Sequence, residues 1–224
     1  IAFPTKSMPM FNGSVSLTTK EILRRFPLSS MQPDDTFITN DPWIASGHLP
    51  DVFLASPIFH NHEAVGLAVS IAHVTDIGGS LRRIGTADVY EEGLRIPPLR
   101  LIAGGKENSD AIEFIRYNVR VPDMVLNDFF AQVGAHKVIE RRVSELLFEN
   151  VDVSLDELAQ AILNRSEQAM RNVIKELPGG RFEAEALTDG YIDPVLIKVA
   201  VSAEENGDLI VDFAGSAPQT TQGA

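Results

Sequence analysis

Residues 52–59 and 64–71 form two apolar stretches, separated by the polar run His60-Asn61-His62-Glu63. This pattern predicts a β-hairpin with a four-residue loop. Upstream, residues 14–26 carry Ile22, Leu23 and Phe26 at helical spacing and predict a short helix. A turn at Gln32-Pro33-Asp34-Asp35 and a short strand over 36–39 follow. Residues 40–50 hold Pro42, Gly47 and Pro50 and read as a loop, and residues 76–105 read as a long irregular stretch. Beyond it the pattern becomes helical. Residues 109–119 suit a short helix and 123–148 a long one, whose apolar positions are Phe129, Val133, Val138, Val143, Leu146 and Leu147. Ser154-Leu155-Asp156-Glu157 is a capping box that opens a further helix, ended by Pro178-Gly179-Gly180. Residues 181–187, 194–203 and 209–213 then alternate as strands, with Asn206-Gly207 turning between the last two. The order predicts an α+β fold: a β-rich front over 1–120, a two-helix middle over 121–178 and an antiparallel β tail over 179–224.

Composition narrows the function classes. A hydrophobic fraction of 44% and a charged fraction of 22% are those of an ordinary folded domain. The net charge of −12 (19 Lys and Arg against 31 Asp and Glu) repels phosphate backbones and anionic membrane surfaces. With no cysteine, the chain has no disulfide, thiolate metal site or cysteine nucleophile, which fits a cytoplasmic protein. The first residues, Ile1-Ala2-Phe3-Pro4-Thr5-Lys6, carry no initiator Met and no leader pattern, and the sequence stops just after a strand pattern. These ends lead us to expect a fragment of a larger subunit.

Two copies of His-x-x-Asp, His48-Leu49-Pro50-Asp51 and His73-Val74-Thr75-Asp76, begin 25 residues apart and flank the predicted hairpin. Pairing Phe59 with Ala64 and counting back places Asp51 opposite Ala72 and Pro50 opposite His73. Opposed side chains in an antiparallel pair lie about 4.5–5.5 Å apart at Cβ and diagonal neighbours about 7–8 Å, so both motifs emerge at one end of the ribbon. Two imidazoles and a carboxylate there, His48, Asp51 and His73, form the donor set of a borderline divalent metal with open positions. Asp76 offers a fourth ligand or a partner that orients His73. Asp41 offers the same, although Asn40-Asp41-Pro42 also suits an Asx turn. Glu91 and Glu92, beside Gly93, offer a general base. His60 and His62 fall at the far end of the ribbon as solvated turn residues, and His136 is expected at the surface or between helices. No GxxxxGK[ST], GxGxxG or GxSxG occurs, and Gly78-Gly79 is only a weak echo of a phosphate-binding turn.

Several segments together resemble the B-type subunits of the hydantoinase/oxoprolinase family. They are Phe37-Ile38-Thr39-Asn40-Asp41-Pro42-Trp43, Gly47-His48-Leu49-Pro50-Asp51-Val52, and Ala72-His73 with Asp76-Ile77-Gly78-Gly79. Glu92-Gly93-Leu94-Arg95-Ile96-Pro97-Pro98, Asn118-Val119-Arg120 with Pro122, Leu177-Pro178-Gly179-Gly180 and Asp212-Phe213-Ala214-Gly215-Ser216 complete the set. The resemblance implies a hetero-oligomer with an A-type, ATP-binding partner of actin-like fold that carries ATP and Mg. It also implies a divalent metal, manganese or zinc, on the positions matching His48, Asp51 and His73, with a further acidic ligand upstream of residue 1 in some members. The activity implied is ATP-dependent opening of hydantoin, 5-oxoproline or lactam-type cyclic amides. The alternatives are the α-type subunit of an acetone or acetophenone carboxylase, and a non-catalytic scaffold subunit with a structural ion. The chain departs from the family pattern at Val74, at Ser80-Leu81-Arg82-Arg83 after the glycine pair, and at Asn127-Asp128-Phe129.

Overall fold

Strand β2 (Asp51–His60) is buried from Asp51 through Ile58, which explains why its sequence is an apolar run with little alternation. Helices cover both of its faces. On one, Phe37, Phe53 and Ala55 pack against Val15 and Ile22 of helix α1 (Phe11–Arg25), with Leu67, Val69 and Ile71 at the side. On the other, Ile38, Val52 and Leu54 pack against Val125 and Phe129 of helix α4 (Pro122–Glu149). Alternate residues along a strand point to opposite faces, so neighbouring positions of one strand feed two separate cores. The computed structural model describes residues 11–81, 88–152, 154–190 and 193–219. Its contacts divide the chain into two units, meeting in sequence between Leu155 and Asp156.

In the first unit, β1 (Thr36–Thr39), β2, β3 (Glu63–His73), β4 (Leu99–Ala103) and β5 (Lys106–Glu107) form one antiparallel sheet in the order β3-β2-β1-β4-β5. The α+β class is as expected, and the helix, hairpin and strand predicted upstream are all present. β4 and the short helix α2 (Val89–Glu92) correct the reading of 76–105 as irregular. β4 pairs with β1, a partner more than fifty positions earlier in the chain, and no local pattern announces that pairing. Helix α3 (Ser109–Asn118) is capped by the Asn108 side chain, which accepts from the Ala111 N–H.

The hairpin differs from its prediction in two ways. Its loop has two residues: His60 pairs with Glu63, and Asn61 and His62 both have positive φ, 50° and 67°, as a type I′ turn demands. An extra residue, Val65, then bulges from β3 between the pairs Phe59–Ala64 and Ile58–Gly66. From there the pairing is displaced by one residue, and Asp51 stands opposite His73 rather than Ala72.

Helix α4 buries Val125, Phe129, Gln132 and His136, which share one face at helical spacing. His136 is therefore not the surface or interhelical residue expected: it lies under the sheet, 2% exposed. Val138 and Leu146, expected as apolar contacts, are exposed instead. Two glycines hold the segment after β3 against the residues around α2. A Cβ on Gly79, whose φ is +66°, would lie 2.4 Å from the Glu92 carbonyl, and one on Gly93 would lie 2.4 Å from the Ile77 oxygen. The backbone bonds Ser80 N–H to Glu91 O and Leu94 N–H to Ile77 O, both 2.7 Å, zip the two segments together.

The second unit comprises all but the first residue of helix α5 (Leu155–Lys175), which begins directly after Ser154, and an antiparallel meander of β6 (Gly180–Thr188), β7 (Val195–Ala203) and β8 (Leu209–Asp212). Gly207 makes the predicted turn at φ +85°, beside an ion pair of 2.6 Å between Arg171 and Asp208.

Candidate metal centre

The bulge at Val65 sets the geometry of the open end of the hairpin. Directly opposed residues point to the same face, so Asp51 and His73 project together. The third member, His48, arrives from the loop before β2. His48 Nε2 lies 2.6 Å from Asp51 Oδ2, and His73 Nδ1 lies 3.1 Å from Asp51 Oδ1. Each carboxylate oxygen thus faces a different imidazole, and the two rings lie 5.4 Å apart between centroids. One ligating atom from each of the three residues falls within 4.8 Å of the others. The Asp51 side chain is 7% exposed, whereas His48 is 40% and His73 54% exposed. A buried carboxylate under two half-open imidazoles offers three N/O donors on one side and access on the other. That donor chemistry fits a divalent ion with open positions better than a closed structural site.

Neighbouring segments hold this end of the ribbon in place. The Val74 N–H donates to Pro50 O at 2.9 Å, tying the two strand mouths just beyond the Asp51–His73 pair. Asp128 of α4 accepts from both the N–H and the hydroxyl of Thr75, each at 2.9 Å. An open cleft of about 180 Å³ adjoins the trio, with His48, His73, Asp76, Glu92 and Arg120 among its walls.

The other sequence candidates are placed as follows. Asp76 is turned to Arg120: Oδ2 accepts from its backbone N–H at 2.6 Å and Oδ1 from its guanidinium at 2.8 Å. The His73 Nδ1 partner is Asp51. Burial pushes the Asp76 carboxyl upward, but the backbone N–H and guanidinium of Arg120, with the Gly78 N–H, outweigh it and hold its pKa below the ordinary value. Glu92 lines the cleft, where its Oε2 accepts from the Leu49 N–H at 3.0 Å. Glu91 is exposed at the end of α2 and its carbonyl receives the Ser80 N–H. Asp41 makes the Asx turn, accepting from the Trp43 N–H at 3.2 Å, and pairs with Arg95 at 2.6 Å. His62 is exposed in the turn at the far end and His60 half-buried. Arg82, Arg83, Thr86 and Ala87 lie outside the described residues.

Sequence reasoning left Arg120 without a role. It lines the cleft, bonds Asp76 and donates to the carbonyls of Gly78 and Gly79. Its only signal was membership of a family motif, because no spacing rule joins it to Asp76.

His136 forms a separate polar site in the core. Its Nδ1 lies 2.8 Å from the Ser56 hydroxyl and its Nε2 2.9 Å from the Ser70 hydroxyl, and Ser70 donates to Gln132 Oε1 at 2.7 Å. Burial, with a smaller contribution from Lys137, lowers its pKa to about 4. It is neutral at pH 7 and joins strand to helix as a hydrogen-bond bridge.

The sequence model of the hydantoinase B/oxoprolinase family matches residues 1–224. A chain of Pseudomonas sp. (strain NS671), named as the B-type subunit of a D-/L-hydantoinase, is 32% identical over 197 residues, covering 84% of this chain and 33% of the relative. The acetophenone carboxylase delta subunit of Aromatoleum aromaticum is 23% identical over 237 residues, covering 98% of this chain and 34% of the relative. Among solved structures, the ATP-dependent caprolactamase from Pseudomonas jessenii superposes with a TM-score of 0.84 at 28% identity, over 97% of this chain and 38% of that one. The chain spans about a third of the length of the curated relatives it matches. By a match that runs from its first residue to its last, the chain belongs to the hydantoinase B/oxoprolinase family.

Proposed function

We propose that this chain is the metal-carrying part of a B-type subunit in an ATP-dependent hydrolase of cyclic amides, with His48, Asp51 and His73 holding a divalent ion, manganese or zinc. The observation that carries the reading is the convergence of these three side chains beside an open cleft, in a chain of this family. The caprolactamase likeness supports a lactam-type substrate. An amide carbonyl is a poor electrophile because nitrogen donates into it. Phosphorylation of its oxygen with ATP, on an A-type partner, removes that resistance. What a divalent ion supplies when bound is Lewis acidity, which lowers the pKa of bound water to about 7. Asp51 sets one carboxylate oxygen against each imidazole, which gathers the three donors at one point. Arg120 and Asp76 neutralise one another along the cleft wall and set its shape. No helix among the described residues is long and apolar enough to cross a membrane, which is compatible with the cytoplasmic location we propose.

A second reading, a subunit of an ATP-dependent ketone carboxylase, is favoured by the acetophenone carboxylase relative, which aligns over nearly the whole chain. One experiment separates the two. The full-length protein is co-purified with its A-type partner, and cyclic amides and ketones are screened for ATP consumption with and without bicarbonate. A ring-opened acid formed without bicarbonate supports the hydrolase, and incorporation of bicarbonate into a ketone overturns it. ATP turnover on neither class, with a metal retained, would leave a scaffold with a structural ion.

A further inference from the structure

We propose that Glu92 and Asn40 are a pair of positioning residues that fix His48 through the backbone of Leu49, and that Glu92 serves the site in this way rather than as a proton acceptor. The inference rests on the metal site proposed above and assigns it two further residues.

Leu49 directly follows His48, and side chains from two distant segments hold both of its backbone polar groups. Its N–H donates to Glu92 Oε2 at 3.0 Å, and its carbonyl accepts from Asn40 Nδ2 at 2.8 Å. The Leu49 side chain is fully buried, so the peptide is anchored on a third side as well. With the planes on either side of Leu49 held, the Cα of His48 has little freedom, and the imidazole is left only its side-chain torsions to meet Asp51.

Asn40 is saturated. The same Nδ2 donates to Leu94 O at 2.9 Å, Oδ1 accepts from the Ile96 N–H at 2.6 Å, and the backbone N–H of Asn40 donates to Ile96 O at 3.1 Å. At 0% exposure, it joins the His48 loop to the segment that carries Glu92. Only an amide combines two N–H donors with an acceptor in this way. An aspartate at position 40 would set a carboxylate oxygen against two carbonyls. Glu92 needs only an acceptor oxygen, which glutamine also supplies. That difference makes the role testable.

Hydrogen exchange at the Leu49 amide and zinc affinity by calorimetric titration are measured on the full-length protein for the parent, Glu92→Gln, Glu92→Ala and Asn40→Asp, and for Glu92→Ala in a His48→Ala background. Glu92→Gln should keep both the Leu49 protection and the zinc affinity of the parent. Glu92→Ala and Asn40→Asp should speed Leu49 exchange and weaken zinc binding by about 10–100-fold, as loss of a partner behind a metal ligand does. With His48 already removed, Glu92→Ala should weaken zinc binding no further, because its effect passes through that ligand. Unchanged Leu49 exchange in Glu92→Ala, damage in Glu92→Gln equal to that in Glu92→Ala, or an undiminished effect without His48 would each overturn the proposal. Should Asn40→Asp fail to fold, the glutamate series decides alone. A parent chain that takes up no zinc, with Leu49 still loosened by Glu92→Ala, would break the metal reading and leave the clamp on the His48 loop standing.

Discussion

The β2–β3 ribbon carries histidines at both ends, and the two ends have different fates. At the turn, Asn61 and His62 adopt left-handed backbone angles and His62 points to solvent. At the open end, His73 stands opposite Asp51, and His48 joins them from a loop braced by residues far away in sequence. Between the ends, under the same strands, His136 is buried among serines and held neutral. These four histidines of one ribbon thus range from solvated turn residue to core hydrogen-bond bridge to candidate ligand. What distinguishes them is which groups the fold brings within about 3 Å, a property that residue type does not contain.

The harshest way to break the comparison is to insert one residue into β3 between Gly66 and Leu67. With the turn and the bulge kept, every pair beyond Gly66 shifts by one, so Asp51 faces Ala72 and His73 points to the opposite side of the sheet. Leu67, Val69 and Ile71 would also leave the core under α1. Metal titration should show binding abolished, and denaturant unfolding should show a loss of several kcal/mol. Retention of both would mean that the register does not build the site.

His73→Ala should abolish metal content and turnover by more than the roughly 10–100-fold that an outer partner costs, while circular dichroism stays that of the parent. His73 is exposed at the end of a strand, so little packing is lost. Elemental analysis of the purified variant checks this, and metal at parental levels would remove His73 from the ligand set.

His136 sharpens the contrast through stability. Its folded pKa, about 4, lies below the ordinary 6.5, so the unfolded chain takes up the proton first as pH falls. Its contribution is therefore fully present above about pH 6.5 and is lost progressively towards pH 4, by about 3 kcal/mol in all. His136→Ala should destabilise by roughly 2–5 kcal/mol at pH 7, through the cavity and the hydroxyls left without a partner, and should flatten the pH dependence between 7 and 5. Urea midpoints at the two pH values, for both proteins, provide the check; a slope unchanged by the substitution would place the titration elsewhere.

A smaller effect is expected from Asp76→Asn. It loses the ion pair with Arg120 but touches no member of the trio through a described hydrogen bond. Stability should fall by about 1–2 kcal/mol with metal affinity unchanged, and a tenfold loss of affinity would restore Asp76 to the orienting role. The smallest effect belongs to His62→Ala at the turn, which should alter neither metal content nor turnover. Equal losses there and at His73 would show that the ribbon matters only as structure.

The sequence alone determined more of the elements than of their contacts. Apolar runs, the Asn206-Gly207 turn and the helical spacing in α4 are local signals, and each of them marks a real element. The convergence of the two His-x-x-Asp motifs was also legible, because any tight hairpin brings its two mouths together. The tertiary structure decided the register, since one bulged residue leaves no mark on an apolar run yet exchanges the faces of everything beyond it. It also decided the partners of the carboxylates. Asp76 met Arg120, Glu92 met Leu49 and Asp41 met Arg95 only because loops some 43 to 54 positions apart in sequence were folded onto one another. Burial of His136 followed from which side of α4 docks on the sheet. A charged or polar side chain is committed by whatever lies within a hydrogen bond of it, and that distance is set by the packing of the whole chain.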